Sequence, residues 1–336
     1  MRIQTIVGSL AILVACLGSQ ASAEDCGPLK HINAIDLVGG PNRALVPVAI
    51  NGIPKLFLLD TGGGKSTING TVAEELELPR RESNMRMLDL YGHASNKFVR
   101  VEKFGVGRQA GDIELMVEPD PDFGRGTRYV GIFAPDLMGE GKYDVEIDFG
   151  TLKMNYFLKD HCPGRVVYWP HNVLAVTPFT FRKGHFRLMV EVDGKHLTAE
   201  IDTGAFNTSM TADAAKRIFD IVPETPGSMP LNAQGMTAAF ERVFSALDFE
   251  GVAVKNPHVI IIPELVGSKD PENSLRTGSS IKRYDDLDDQ SDMLIGMDIL
   301  RKLHLYIASD EEKIYITEAS TTLSTAPVQP ANTGRQ

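Results

Sequence analysis

The chain has little from which to build a metal or nucleotide site. Its eight histidines form no His-Glu-x-x-His motif and no close ligand pair, so no metal is expected. Gly63-Gly64-Lys65-Ser66 lacks the upstream glycine of a phosphate loop. Gly-x-Ser-x-Gly, the usual setting of a Ser/His/Asp hydrolase, is absent. The acidic run Asp285-Asp286-Leu287-Asp288-Asp289 lacks the glycine and terminal glutamate of a calcium loop and reads as solvated chain. Basic residues are also short. With 34 Lys and Arg against 44 Asp and Glu, the formal charge of −10 argues against nucleic acid and anionic membrane surfaces as partners.

Long apolar runs are lacking too, with one exception at the start. Ile3 to Leu17 follows Arg2 and precedes the small-residue site Ala21-Ser22-Ala23, the pattern of a secretory signal peptide over residues 1–23. It is too short for a membrane span. Leu13-Val14-Ala15-Cys16 offers a second route, a bacterial lipobox with Cys16 as the lipid anchor. The expected location is therefore periplasmic or secreted, with an anchored lipoprotein as the alternative. Of the 3 cysteines, either route leaves Cys26 and Cys162 for pairing. In an oxidising compartment an even pair reads as a disulfide; two unrelated buried cysteines are the other reading.

What the chain does have is a repeat. Asp-Thr-Gly occurs as Asp60-Thr61-Gly62 and as Asp202-Thr203-Gly204, each after an apolar run that reads as a strand. The hairpin signals Asn51-Gly52 and Asp193-Gly194 each place their glycine eight residues before the aspartate (52 to 60, 194 to 202). Leu45 to Ile50 and Lys55 to Leu59 are the first pair of strands, and Phe186 to Val192 and His196 to Ile201 the second. Thr71-Val72-Ala73-Glu74 has capping-box spacing and starts a short helix that stops before Pro79, while Thr211 caps a helix running to about Phe219.

The parallel continues. Gly92 and Gly235 sit in polar segments at matching distances beyond each acid, followed by β-rich sequence at Phe98 to Val106 and Ala239 to Phe249. Late in each half comes an apolar run with an aspartate, Val130 to Leu137 around Asp136 and Leu294 to Leu300 around Asp298. Closing strands follow at Tyr143 to Phe149 with Lys153 to Phe157, and at Leu303 to Ile307 with Lys313 to Thr317. At 336 residues there is room for two domains. The duplication predicts an N-terminal lobe over 24–162, a linker at 163–178, a C-terminal lobe over 179–318 and a disordered tail at 319–336. An insertion at 267–292 carries no apolar periodicity.

The motifs Leu58-Leu59-Asp60-Thr61-Gly62-Gly63, Glu200-Ile201-Asp202-Thr203-Gly204-Ala205 and Leu294-Ile295-Gly296-Met297-Asp298-Ile299 resemble the retropepsin-like aspartic peptidases, in a single-chain, two-lobed bacterial form. The resemblance runs from about residue 44 to about 318. It implies an all-β protein of two β-barrel lobes with short helices, related by pseudo-two-fold symmetry and acting as a monomer. Its function would be that of an aspartic endopeptidase on peptide or protein substrates, without a cofactor. Asp60 and Asp202 would be the catalytic pair. Thr61 and Thr203 would lock the loops across the lobes, Gly62 and Gly204 would support the carboxylates, and Gly92 and Gly235 would lie in flaps.

The chemistry of such a pair is independent of the resemblance. Two carboxylates about 3 Å apart hold one proton between them over a useful pH range. The ionised member can accept a proton from water while the other donates to the developing oxyanion. Two departures favour the alternative of an inactive peptide-binding protein of the same fold. Ala134 stands where the second half has Gly296, and Gly62-Gly63-Gly64-Lys65 is a looser loop than its counterpart, with Lys65 placed to stabilise an ionised Asp60.

Overall fold

The computed structural model describes residues 26–40, 42–88, 94–119, 123–139, 141–182, 184–231, 239–263 and 291–320. Both predicted hairpins are present. Strands Arg43–Ile50 and Ile53–Leu59 pair around Asn51 and Gly52, and His185–Val192 and Lys195–Ile201 pair around Asp193 and Gly194. All four turn residues have positive φ (50°, 88°, 45° and 79°), the conformation of a two-residue turn that matches strand twist.

Each lobe then repeats one pairing scheme. Ile53–Leu59 runs parallel to Gly131–Phe133, which is antiparallel to Thr67–Ile68, itself parallel to Gln109–Val117. In the second lobe Lys195–Ile201 runs parallel to Met293–Ile295, which is antiparallel to Ser209–Thr211, itself parallel to His258–Ile262. Alternation sends Phe57 and Leu59, and likewise Leu197 and Ile201, into the core. Among the described residues the three helices are short, Gly70–Glu75, Ala212–Phe219 and Met297–Leu300, and none is long and apolar enough to cross a membrane.

Thr211 caps its helix as expected, accepting from the Ala214 amide at 3.0 Å. The first helix starts earlier than the capping-box spacing implies. Asn69, not Thr71, is its cap and accepts from the Val72 amide at 3.0 Å. Asn is a strong cap in its own right, and its amide also donates to the Phe123 carbonyl at 2.7 Å, so tertiary contact reinforces the earlier start.

The lobes share one sheet. Its strands run in the order His31–Asp36, Lys153–Phe157, Asp144–Asp148, Leu303–Ala308, Lys313–Glu318, Ala175–Arg182, with three strands from each half. The join lies where Asp144–Asp148 pairs antiparallel with Leu303–Ala308. Buried acids there have partners: His161 meets Asp144 at 2.6 Å, His304 meets Glu146 at 2.7 Å, and the Tyr168 hydroxyl donates to Glu146 at 2.5 Å. A buried charge is tolerated when so paired.

The stretch read as a linker, 163–178, is largely exposed but anchored at particular residues. Trp169 stacks on His304 with ring centroids 3.8 Å apart and donates to Thr317 at 2.9 Å, and strand Ala175–Arg182 begins within the stretch. Cys26 and Cys162 form a disulfide that closes a separation of 136 residues and ties the start of the first lobe to its end. The predicted signal peptide 1–23, Cys16, Gly92, Gly235, residues 267–290 of the insertion and residues 321–336 of the tail lie outside the described residues.

Candidate active site

The two acids are delivered by the paired strands. Asp60 follows Ile53–Leu59 and its amide donates to the Phe133 carbonyl at 3.0 Å; Asp202 follows Lys195–Ile201 and its amide donates to the Ile295 carbonyl at 3.0 Å. Each acid thus stops at the mouth of its own lobe, where the next residues turn toward the other.

Thr61 and Thr203 meet across that gap. The Thr61 amide donates to the Thr203 hydroxyl, and the Thr203 amide to the Thr61 hydroxyl, both at 3.0 Å. The Thr61 hydroxyl donates in turn to the Ile201 carbonyl at 2.7 Å, and the Thr203 hydroxyl to the Leu59 carbonyl at 2.8 Å. Both threonines are buried, so four hydrogen bonds shielded from water hold the acid loops in register.

The glycines set how closely the acids approach. A β-carbon on Gly62 would stand 2.6 Å from the Asp202 carboxyl carbon, and one on Gly204 would stand 2.5 Å from that of Asp60. Only glycine fits either position. The Gly62 amide donates to its own lobe's Asp60 at 3.0 Å, and the Gly204 and Ala205 amides to Asp202 at 2.8 and 3.1 Å.

The two carboxyls lie close enough that each shifts the proton affinity of the other. Burial raises Asp60 well above the usual carboxylate range, and the nearby charge of Asp202 raises it further. Asp202 is also raised by burial and by the charge of Glu200, against the Ala205 and Gly204 amides that favour its ionised form. Both acids are half-buried. Both carboxyls are thus raised together, and their titration belongs to the pair rather than to either residue.

A supporting layer beneath the acids was visible in the sequence only as unassigned residues. The Ser66 hydroxyl donates to Asp136 at 2.5 Å and accepts from the Ala134 amide at 2.9 Å. In the second lobe the Thr208 hydroxyl donates to Asp298 at 2.8 Å and accepts from the Gly296 amide at 3.1 Å. The aspartates of the late apolar runs were the available signal. Ala134 and Gly296 thus occupy equivalent places, as aligned. Lys65 pairs with Asp136 at 3.7 Å. A cavity of about 430 Å³ lined in part by Arg43, Phe149, Met297 and Arg301 lies at the lobe junction and includes neither Asp60 nor Asp202.

Comparison with known proteins agrees with this arrangement at the level of family and fold. The aspartic proteinase of Irpex lacteus superposes at TM-score 0.52 with 12% identity, over 87% of this chain and 98% of that one. Weaker likenesses, on which nothing rests, are a retropepsin-like aspartic protease from Rickettsia conorii (TM-score 0.29, 17% identity, 44% of this chain and 91% of that) and the Basic 7S globulin of soybean (0.45, 8%, 88% and 96%). A search of curated protein sequences gave no match. The profile of the aspartyl protease family matches residues 46–131 and 188–299, more than half of the chain and both acid loops, so the chain belongs to the aspartyl protease family.

Proposed function

We propose that the protein is an aspartic endopeptidase that cleaves peptide bonds in the cleft between its lobes with water activated by Asp60 and Asp202. The observation that carries this reading is the crossed packing of Gly62 on Asp202 and Gly204 on Asp60, which holds the two partly exposed carboxyls beside each other. In the resting pair one carboxyl holds the proton and the other is ionised. The ionised member accepts a proton from the attacking water, and the protonated member donates to the carbonyl oxygen as it gains charge. Nucleophile and acid both come from water and the pair, so the reading needs no cofactor.

The disulfide between Cys26 and Cys162 supports an exported protein, periplasmic or secreted, with lobes over 24–162 and 179–318. The rival reading, a peptide-binding protein without activity, draws on Ala134 and the glycine-rich first loop. Yet Ala134 donates to Ser66 just as Gly296 donates to Thr208, which favours a competent loop. A peptide-library digest across pH 3 to 8 with wild type and the Asp60→Asn, Asp202→Asn double variant separates the two. Cleavage by wild type alone supports the peptidase; peptide binding by an inert wild type replaces it with the rival.

A further inference from the structure

Beside each acid the two lobes present opposite chemistry at equivalent positions. In the first lobe Leu58, two residues before Asp60, pairs with Leu45, and both pack with Tyr129 in a small apolar cluster joined by Phe123. In the second lobe Glu200, two residues before Asp202, pairs with Arg187. The Glu200 carboxylate lies 2.6 Å from His185, 3.7 Å from Arg187 and 3.5 Å from the Ser291 hydroxyl. Ser291 matches Tyr129, since each stands two residues before the strand that flanks its acid, Met293–Ile295 or Gly131–Phe133. His185 matches Arg43, which donates to Tyr129 at 3.1 Å.

Side chains two apart on a strand share a face, so Leu58 and Glu200 lie on the faces that carry the acids. Glu200 stands two residues before Asp202, about 7 Å along an extended chain, which places the cluster beside the reacting bond. Because the acids lie between the lobes, a peptide bond held by both has its two flanking residues against opposite lobes. We propose that the cleft reads these two residues differently, taking an apolar side chain against Leu58 and an uncharged hydrogen-bonding side chain, such as Gln, Asn, Ser or Thr, against Glu200. Glu200 itself is buried, so an apolar side chain there would strip water from the partly exposed edges of His185 and Arg187 and give no hydrogen bond in return. A lysine would meet Arg187 and a carboxylate would meet Glu200. His185, with its side chain 26% exposed, forms the open rim of this wall.

The inference rests on the peptide-cleft reading but is tested apart from hydrolysis. Four peptides in which a hydroxyethylene unit replaces the scissile bond, with Leu or Gln on either side of it, are titrated by calorimetry into the wild-type chain. One of the two mixed peptides is expected to bind about tenfold or more tightly than the Leu/Leu peptide. The Arg187→Leu, Glu200→Leu double variant, which copies the Leu45 and Leu58 pair, is expected to lose that margin. Leu/Leu binding as tightly as either mixed peptide in wild type overturns the proposal without touching the peptidase reading. Preferential binding of a mixed peptide by a chain that hydrolyses nothing sinks the peptidase reading and leaves this one standing. Failure of all four to bind overturns both.

Discussion

Set side by side, the two lobes share the backbone that delivers the acid and differ in what surrounds it. Asp60 and Asp202 are each pinned by a hydrogen bond from the backbone amide to the flanking strand, each contacted by the opposite lobe's glycine, and each carried beside a crossed threonine. Around this common frame the first lobe places leucines and a loop of successive glycines, and the second an ion-paired cluster and the bulkier Ala205-Phe206-Asn207. Phe206 lies under Arg43 of the first lobe, 3.9 Å from ring centre to guanidinium. Geometry common to both lobes is what a shared proton demands; the walls are free to diverge, because they touch different parts of any bound chain.

If the acids are equivalent despite those walls, Asp60→Asn and Asp202→Asn should each lower peptide hydrolysis by at least about 10⁴-fold, since groups acting as a unit fail together. Circular dichroism should show both variants folded. Near wild-type turnover in either one would break the equivalence and move the activity elsewhere.

Gly62→Ala and Gly204→Ala test the crossed packing. Each methyl would fall within 2.6 Å of the opposite carboxyl carbon, so the pair must separate. We expect turnover to drop about a hundredfold in both, and urea titration to show a loss of about 1–3 kcal/mol. A loss confined to one variant would show that the loops do not close symmetrically.

The disulfide belongs to the first lobe alone. Cys26→Ser with Cys162→Ser should cost about 2–5 kcal/mol, read from denaturant unfolding under non-reducing conditions. Cleavage by a protease at low concentration should then begin in the first lobe; initial cuts in the second would contradict the role assigned to the bond.

The positions of Ala134 and Gly296 sharpen the comparison further. A methyl at 296 would meet the Asn207 carbonyl oxygen at 2.6 Å, so Gly296→Ala should cost about 1–3 kcal/mol. The reciprocal Ala134→Gly should cost only about 1 kcal/mol or less. Equal losses in the two would mean that the first loop is as tightly packed as the second.

The smallest effects concern pH, and they have opposite signs at the acid pair and at the lobe junction. Asp60 is raised in the folded protein, so its contribution is fully present below the unfolded carboxylate value of about 3.9 and is lost as pH rises through the folded value. Asp60→Asn should therefore raise the melting temperature at pH 7 relative to wild type and do so less at pH 3. Asp148 behaves conversely. Burial alone would raise it, but bonds from Thr151 and Ser320 and the nearby His304 hold it below its ordinary value. Asp148→Asn should destabilise at pH 7, with the loss fading as pH falls through the range of that carboxyl. Parallel pH curves for the two variants would refute this division.

Much of the fold was legible from local chemistry. Asn51-Gly52 and Asp193-Gly194 announced their hairpins because few other pairs accept positive φ at both positions, and Thr211 announced its helix through a hydroxyl suited to capping. The error at Asn69 has the same origin, since two cap-competent residues stood close together and a contact with Phe123 reinforced the earlier one. The supporting bonds were harder to see. Ser66 and Asp136 are 70 residues apart, and Thr208 and Asp298 are 90 apart, so neither pair leaves a local pattern.

By itself the sequence determined that there are two related lobes, where each acid leaves its strand, and which cysteines are placed to pair. These follow from repeats, alternation and turn preferences, which act over a few residues and survive any uncertainty about packing. Only the tertiary structure decided that Gly62 packs on Asp202 rather than on its own neighbour, that Lys65 turns to Asp136, and that Glu200 is encircled by His185, Arg187 and Ser291. Those contacts join segments far apart in the chain, and their energies depend on distances of a few ångströms that appear once the two lobes have docked.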